Sequence, residues 1–363
     1  MTTKHSFLPP SGAAQWSKCA LWPTMNARYP EANTTASEEG TAAHWVLSEL
    51  MQWDCAPAEG SLTPNGLVVT DEMIDGALMV REVVEKRMSS LALHIEETVN
   101  IPQINPECFG TPDIFGGTLA HLEIVDYKFG NGFVDEYWNP QGLLYMLGIM
   151  VRTNCVPITV SFTIVQPRCF YRGEPVRTHT YKTIDATDHI RPLLVAAERA
   201  YAQQPTATTG PQCEHCPGRH ACPTLQLAAG RDAETSTDQQ PVDLTPQAAA
   251  LELHTLDKAL TRLTARVEGL RELTTANLKA GAHVPHYKLE NGRGRLAWTI
   301  TPEEVAKKLG KKAKLLKVIT PTQAKKLLLD DKIIAKYTDI IPGGLRLVES
   351  SNSEASRVFK KET

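Results

Sequence analysis

The chain has 363 residues, 42% of them hydrophobic, which is enough for a sizeable core and suggests two domains or one large domain with an appendage. Its net charge of -3 excludes a global attraction to nucleic acid, so any DNA contact must come from local basic patches. No apolar run of about 18 residues and no signal-peptide core is present, so we expect a cytoplasmic protein with no membrane partner.

Two helices are predicted ahead of the first strands. Apolar residues recur at helical spacing from Thr41 to Trp53, which places His44 on a helix with one buried face. The range Asp71 to His94 is predicted as a second helix with an apolar side and a charged side. Spacing alone leaves two interpretations of His44 open, a capping or core histidine and a metal ligand.

A β-hairpin is predicted from Phe109 to Lys128. The pair Gly116-Gly117 separates two strand-like runs and is typical of a hairpin turn. With the turn at this pair, Asp113 on the first run faces the second run.

The second run of the hairpin ends in charged residues. Because side chains alternate along a strand, Asp126 and Lys128 project from one face after the apolar run Leu122 to Val125. That run indicates a buried strand, and sites in mixed α/β folds lie at the ends of such strands. Together with Asp113, these residues can hold Mg²⁺ or Mn²⁺ and orient an attacking water. The alternative is that all three are solvated turn and strand-end residues.

Further strands and a helix follow. β-Branched residues predict a strand from Val156 to Gln166 and a hairpin partner from Tyr171 to Thr183. A helix is predicted from Asp185 to Gln203, and it leads into a group of cysteines.

Three of the eight cysteines form the group Cys213-x₂-Cys216-x₅-Cys222 in the rigid segment PQCEHCPGRHACPT. This short spacing suits thiolates that converge on one inorganic centre. An iron-sulfur cluster is favoured over zinc, because zinc modules prefer paired short spacings. Zinc with His215 or His220 as the fourth ligand is the alternative.

The composition changes after Cys222. The segment Ala228 to Val242 is small and polar without a period, which indicates a linker. We therefore predict a first domain over residues 1–226, a linker over 227–245 and a C-terminal module over 246–363. Apolar residues with spacings of 4, 3, 4, 3, 4 and 3 then predict a heptad helix, whose partner is either another copy of the chain or a helix of the same molecule. These residues are Ala249, Leu253, Leu256, Leu260, Leu263, Val267 and Leu270.

The tail combines a predicted strand with a basic segment. The strand runs from Tyr287 to Thr299, and lysines are frequent from Thr301 to Lys326. These lysines are interpreted either as contacts to a nucleic-acid backbone or as a solvated helix face. The lysines concerned are Lys307, Lys308, Lys311, Lys312, Lys314 and Lys317.

Four motifs resemble, in the same order, those of the RecB-like branch of the PD-(D/E)XK nuclease superfamily. The sequence GTPD ending at Asp113 and the sequence IVDYKFG around Asp126 resemble the second and third motifs. The segment EGTAAH ending at His44 resembles the first, and Gln141-x₃-Tyr145 resembles the Q-x-x-x-Y motif.

The resemblance implies a fold and a set of site residues. The fold is α/β, with a mixed central β-sheet flanked by helices as in restriction endonucleases, followed by a C-terminal helical or α+β appendage. The implied catalytic residues are Asp113, Asp126 and Lys128, supported by Gln141 and Tyr145. The implied Mg²⁺ or Mn²⁺ ligands are His44, Asp113, Asp126 and the carbonyl of Tyr127.

Iron-sulfur members of this branch place one cysteine ahead of the first motif. The resemblance therefore implies Cys19 as the fourth ligand of a [4Fe-4S] cluster, with Cys213, Cys216 and Cys222. The later order of segments, including a helix from Thr320 to Leu327, resembles a phage-encoded family of RecB-like nucleases.

The function implied is a metal-dependent DNA exonuclease that resects double-stranded ends in phage recombination or replication. Its partners would be DNA and a phage annealing or recombination protein in the host cytoplasm, and the chain could also form a homo-oligomer. One alternative is a DNA- or partner-binding protein that does not cut, and another is a structure-specific endonuclease.

Overall fold

The computed structural model describes residues 6–30, 34–169, 173–235, 245–292, 295–300, 302–309, 321, 331–341 and 345–349. The chain divides into two units, Met1–Arg266 and Val267–Thr363. The predicted division into domains at residue 226 stays a prediction.

A five-stranded mixed sheet forms the centre of the first unit, in the order β1-β4-β5-β6-β7. Strands β5 and β6 are parallel, and the other neighbours are antiparallel. The predicted mixed sheet flanked by helices is therefore confirmed. The strands are β1 His94–Ile95, β4 Ile114–Gly117, β5 His121–Tyr127, β6 Thr159–Val165 and β7 Val176–Lys182, and β2 Val99–Asn100 pairs separately with β3 Phe109–Gly110.

The two central strands lie between helices because both of their faces are apolar. Helix α5, Pro140–Thr153, connects β5 to β6, which is the connection that a parallel pair requires. On this side of the sheet, α1 Ala13–Trp16, α2 Trp22–Arg28 and α6 Thr187–Ala200 contribute to the same hydrophobic cluster or lie beside it. On the other side, α3 Thr35–Trp53 and α4 Asp71–Met88 pack against Ile114, Val125 and Tyr127.

The long helices begin where the sequence supplies capping groups. Thr34 and Ser37 form a reciprocal capping box at the start of α3, with hydrogen bonds of 3.0 and 3.1 Å. Thr70 accepts a hydrogen bond from the backbone N–H of Met73 at the start of α4. Helix α3 thus begins six residues earlier than the predicted start at Thr41.

The prediction of a turn at Gly116-Gly117 is wrong. Both glycines belong to β4, and the turn is formed by residues 118–120, where the Thr118 N–H donates to the His121 carbonyl at 2.8 Å. A Cβ at Gly116 would lie 2.8 Å from the carbonyl oxygen of Ala92. Close packing therefore explains glycine at this position, and no turn conformation is needed.

Two predicted helices are shorter in the structure. The helix expected to reach His94 ends at Met88, because His94 pairs with Phe115 as part of β1. The helix expected from Asp185 to Gln203 is α6, and a 3₁₀ turn over Thr183–Ala186 precedes it.

Part of the predicted linker is helical. Helix α7, Pro223–Thr235, overlaps residues 227–235, and residues 236–244 lie outside the described part of the chain. Leu225 is buried, and Asp232 forms an ion pair with Arg262 of helix α8, Pro246–Lys279. These contacts explain a helix in a segment of small polar residues. The heptad residues lie within α8, so the predicted helix is confirmed.

The described residues of the second unit include two strand pairs. The single strand predicted from Tyr287 to Thr299 is wrong, since two strands of this segment pair with later strands instead. Strand β8 Tyr287–Asn291 pairs with β11 Leu345–Glu349, and β9 Arg295–Trp298 pairs with β10 Thr338–Ile341. Helices α9 Pro302–Leu309 and α10 Asp331–Lys336 complete the described elements.

Part of the basic segment can be placed. Lys307 and Lys308 lie in the last turn of α9. Lys311, Lys312, Lys314 and Lys317 lie outside the described residues, as does the predicted Thr320–Leu327 helix except for residue 321. No helix within the described ranges is long and apolar enough to cross a membrane.

Candidate active site

The end of the β4–β5 hairpin brings Asp113 and Asp126 together. Ile114 pairs with Val125, so the next residues outward on the two strands are Asp113 and Asp126. The Lys128 ammonium lies 2.9 Å from Asp126 Oδ2 and 3.2 Å from Oδ1. The structure therefore places the three residues in one cluster, as the hairpin prediction expected, although the turn lies elsewhere.

Helix α3 adds His44 to this cluster. Its Nδ1 lies 3.2 Å from Asp113 Oδ1, while Asp113 Oδ2 accepts a hydrogen bond of 2.7 Å from the backbone N–H of Tyr127. The His44 ring also packs on the Tyr127 ring, with 5.3 Å between centroids. Asp113 is therefore held from two sides, by a helix and by the neighbouring strand.

Helix α5 contributes an amide and a phenol to the other side of the cluster. The Gln141 carbonyl oxygen accepts a hydrogen bond from Lys128 at 3.1 Å, and its amide nitrogen donates to Asp126 at 3.2 Å. The same nitrogen donates to the Tyr145 hydroxyl at 2.9 Å, which in turn donates to the Thr111 carbonyl at 3.1 Å. Residues four apart share a helix face, and this explains the Q-x-x-x-Y spacing.

The pKa values of the two carboxyl groups shift in opposite directions. Burial would raise the pKa of Asp113, but the charge of His44 and the hydrogen bond to it lower this pKa below its ordinary value. For Asp126, burial outweighs the attraction of Lys128, and its pKa is raised. The two carboxylates thus differ in proton affinity although they are neighbours.

The pKa values of the two basic groups are both raised, for a related reason. Burial would lower the pKa of both His44 and Lys128, but the nearby carboxylates raise both values, Asp113 acting on His44 and chiefly Asp126 on Lys128. The cluster therefore places two basic side chains against its two carboxyl groups.

A divalent cation fits the chemistry of this cluster. Asp126 is 2% exposed, and its Oδ2 forms the ion pair with Lys128 but accepts no hydrogen bond. Such an atom is costly to bury, and carboxylate oxygens are the preferred ligands of Mg²⁺ and Mn²⁺. Across the described residues, no three His, Cys, Asp or Glu side chains converge as a finished ligand set. Asp113 and Asp126 are paired with His44 and Lys128 instead.

The structure also brings the four predicted cysteines together. Cys19, Cys213, Cys216 and Cys222 line one small pocket, although Cys19 lies almost 200 residues from the others in sequence. Burial, with smaller contributions from neighbouring thiols, raises the pKa of Cys216 to about 11 and also raises that of Cys213. Thiolates at this place therefore need a positive centre to compensate their charge.

Two further observations concern the ligand choice at this pocket. The indole N–H of Trp22, which also lines the pocket, is buried and has no hydrogen-bond partner. His215 is exposed, and the His220 ring packs edge-on against Tyr29 with 4.8 Å between centroids. Neither histidine lines the pocket. The four thiols share this pocket, but among the described residues no three cysteine, histidine or carboxylate side chains are placed so that they could hold a metal ion.

One structural element near the site had no signal in the sequence. Arg168 donates to Glu39 at 2.7 Å and makes a bidentate pair with Glu72, at 3.1 and 2.9 Å. Its guanidinium also lies 3.9 Å above the Phe129 ring. Arg168 thus joins α3 and α4 to the segment that follows Lys128. Only the position of Glu39 in the EGTAAH motif hinted at a role for this carboxylate.

Comparison with known proteins gives one family and remote structural likenesses. Residues 5–354 match the family model described as "Protein of unknown function (DUF2800)". The crystal structure of SSO0001 is similar at 8% identity and a TM-score of 0.27, over 56% of this chain and 94% of that chain. The crystal structure of a phage-related exonuclease from Haemophilus somnus 129PT is similar at 13% identity and a TM-score of 0.25, over 55% and 94%. Likenesses this remote carry no functional assignment.

Proposed function

The chain belongs to the DUF2800 family, whose description assigns no activity, and we propose from its site that it is a divalent-metal-dependent DNA nuclease. One observation carries the proposal. Two carboxylates meet a lysine at the end of a buried hairpin, and one carboxylate oxygen there is buried without a hydrogen bond. This combination suits phosphodiester hydrolysis better than it suits a structural ion pair, because a structural pair gains stability from saturated hydrogen bonds.

Each residue of the cluster has a role in this proposal. Asp113, Asp126 and the Tyr127 carbonyl would hold Mg²⁺ or Mn²⁺, and His44 would complete the ligand set. A bound ion would supply an acidified water and neutralise charge on the phosphate. An imidazole ligand makes Mn²⁺ as suitable as Mg²⁺.

Lys128 and its neighbours act on the water and the phosphate. Lys128 is 25% exposed, so its ammonium can reach a solvent-borne substrate while Gln141 keeps it beside Asp126. Gln141 is itself oriented by Tyr145, whose hydroxyl is fixed to the Thr111 carbonyl. This chain of hydrogen bonds positions the ammonium before substrate arrives, and such positioning is a large part of catalysis.

The proposal also names the substrate and the mode of cleavage. The four motifs that resemble RecB-like nucleases support DNA as the substrate and exonucleolytic resection of double-stranded ends in phage recombination or replication. A phage annealing or recombination protein would be the partner, in the host cytoplasm.

The test uses purified protein with linear, closed-circular and branched duplex DNA, each with Mg²⁺, Mn²⁺ or a chelator. We expect metal-dependent loss of linear DNA from its ends, with closed circles resistant. Cutting within circles or at branches would identify the structure-specific endonuclease. Binding without cutting under every condition would contradict the nuclease and favour the DNA-binding alternative. Asp113→Asn serves as the site-directed control and should not cut.

We also propose a structural [4Fe-4S] cluster held by Cys19, Cys213, Cys216 and Cys222, with structural zinc as the alternative. The shared pocket and the unpartnered Trp22 N–H support it. Protein purified without oxygen should absorb visible light and contain iron and sulfide, and Cys19→Ser should abolish both.

Cys55→Ser is the matched control for Cys19→Ser, because Cys55 is exposed and lies outside the pocket. It should leave the colour unchanged. A colourless anaerobic protein that contains one equivalent of zinc would contradict the cluster and establish the zinc alternative.

A further inference from the structure

Helix α8 uses one face to pack within its own chain. Ala265 is 1% exposed and packs with Cys213 and Leu225. One turn earlier, Arg262 makes two hydrogen bonds to Asp232, at 2.7 and 2.6 Å. Helix α8 therefore has an intramolecular contact, but this contact is on the face that carries Arg262 and Ala265, and the partner predicted for the heptad residues stays a prediction.

The heptad residues lie on another face, which is largely open. We call this face the leucine seam: Leu253, Leu256, Leu260, Leu263, Val267 and Leu270. Five of its six side chains are exposed, at 61, 56, 63, 42 and 40% for Leu253, Leu256, Leu260, Val267 and Leu270. Leu263 is partly buried. An apolar stripe of this length on one continuous helix is typical of an interaction surface.

The spacing of the seam identifies the kind of partner. Alternating steps of 3 and 4 residues average 3.5, which matches a second helix wound around the first. A globular pocket or a flat surface does not require this regularity over three heptads. The partner is therefore a helix with the same repeat.

The charges beside the seam select both the partner and its direction. Four charged residues occupy the flanking heptad positions, with Glu252 and Arg266 preceding core positions and Asp257 and Arg271 following them. In a parallel pair of identical helices, Glu252 would meet the partner's Asp257, and Arg266 would meet the partner's Arg271. Every flanking pair would then carry like charges.

The antiparallel arrangement reverses this pattern. Glu252 then meets the partner's Arg266, and Asp257 meets the partner's Arg271, so all four symmetry-related pairs attract. In the same register, Leu253 packs on the partner's Leu270, Leu256 on the partner's Val267 and Leu260 on the partner's Leu263. One register thus forms these three apolar layers and places Glu252 and Asp257 opposite arginines, of which Arg266 also donates to the carbonyl oxygens of Arg219 and His220 in its own chain.

We propose that α8 pairs with α8 of a second copy of this chain, antiparallel and two-fold symmetric, through the leucine seam. Self-complementarity of both the apolar layers and the charges is what a two-fold interface between identical chains requires. The proposal is independent of the nuclease activity, because it uses no residue of the active site or of the cysteine pocket.

The first experiment measures the mass of the full-length protein by sedimentation over a concentration series. We expect a reversible dimer. Leu256→Asp with Leu260→Asp should weaken dimerisation at least about 100-fold, because two charged groups enter each half of a symmetric apolar core. Both leucines are exposed in the single chain, so circular dichroism should show an unchanged fold. A wild-type protein that stays monomeric at every concentration overturns the proposal and assigns the seam to a different partner.

The second experiment tests direction without changing net charge. Glu252→Arg with Arg271→Glu makes every antiparallel pair repulsive and every parallel pair attractive, while Arg266, which donates to the carbonyl oxygens of Arg219 and His220, stays in place. We expect dimerisation about tenfold to hundredfold weaker. The matched control, Lys258→Glu with Glu272→Lys, exchanges charges away from the seam and should leave dimerisation unchanged. Tighter dimerisation of the first variant overturns the antiparallel arrangement.

Discussion

Substitutions at two buried carboxylates on β5 can separate an effect on DNA cleavage from an effect on folding stability. Asp126 lies in the proposed active site, and Glu123 lies three residues earlier on the same strand, away from that site. The Glu123 side chain is 6% exposed and that of Asp126 is 3% exposed, and each forms an ion pair. Asp126→Asn and Glu123→Gln remove one negative charge each with little change of shape.

The structure predicts that the stability costs differ. Glu123 makes a bidentate pair with Arg87, at 3.0 and 3.1 Å, and contacts His121 at 2.8 Å. Breaking such a pair costs about 3–5 kcal/mol when both partners are fully buried, and about 1–3 kcal/mol is expected here because Arg87 is 31% exposed. Glu123→Gln should therefore lower the free energy of unfolding measurably.

The corresponding cost for Asp126→Asn is small. The pKa of Asp126 is raised in the folded state, so the folded chain binds this proton more tightly than the unfolded chain does. Ionised Asp126 therefore lowers stability above its folded-state pKa, and a neutral amide removes that cost. Lys128 loses a counter-charge but keeps its hydrogen bond to Gln141. We expect a net change within about 1 kcal/mol.

The two substitutions should affect DNA cleavage in the opposite order, with the larger loss for Asp126→Asn. Asp126→Asn removes a proposed metal ligand and should slow DNA cleavage by at least about 10²–10³-fold. Glu123→Gln should cleave at nearly the wild-type rate under conditions where it is folded. Urea unfolding gives the stabilities, and acid-soluble nucleotide release from linear duplex DNA gives the rates. Wild-type cleavage by Asp126→Asn, or equal loss of cleavage by folded Glu123→Gln, would refute the assignment of the site.

Three further predictions concern other parts of the chain. Lys128→Met should abolish cleavage and leave DNA binding within a few-fold, as gel shifts in chelator can show. Replacing the six lysines between residues 307 and 317 by glutamine should reduce the salt dependence of DNA affinity by roughly one unit of slope for each phosphate that is no longer neutralised; an unchanged slope would assign them to a solvated surface. Gly142→Ala should destabilise the fold by about 1–3 kcal/mol, because its Cβ would lie 2.7 Å from the Phe162 ring. Gly40→Ala, which meets no atom within 4 Å in α3, should be neutral or stabilise slightly.

The secondary structure was predictable where local chemistry decides it. The apolar patterns predicted β5 and β6 as strands, and the heptad period predicted α8 as a helix. The structure has these elements. The glycine pair of β4 misled the hairpin prediction, because glycine serves close packing as well as turns. Helix α7 was missed because its stability comes from contacts with α8, which a local composition does not reveal.

The residues of the proposed active site were chosen from their motifs, but most of their mutual contacts could not be predicted. Sequence periodicity places Asp126 and Lys128 on one face, and the structure confirms their contact. Nothing in the sequence shows that His44 reaches Asp113 across 69 residues, or that the Tyr127 N–H fixes the same carboxylate. These contacts depend on how α3 packs on the sheet, which is a property of the assembled core.

The buried end of the β4–β5 hairpin is polar, although such burial adds little stability. A fold selected only for stability would place apolar residues at the buried end of this hairpin, because burying two carboxylates and a lysine gains little over a hydrophobic packing. The chain instead keeps a carboxyl group with a raised pKa and an oxygen without a hydrogen bond beside saturated neighbours such as Gln141 and Tyr145. The Tyr127 hydroxyl is also buried without a hydrogen-bond partner, but Asp126 Oδ2 is the charged oxygen among these atoms. A cation that binds there would satisfy it, and so the prediction follows that divalent ions should raise the melting temperature of the wild-type protein and not that of Asp126→Asn.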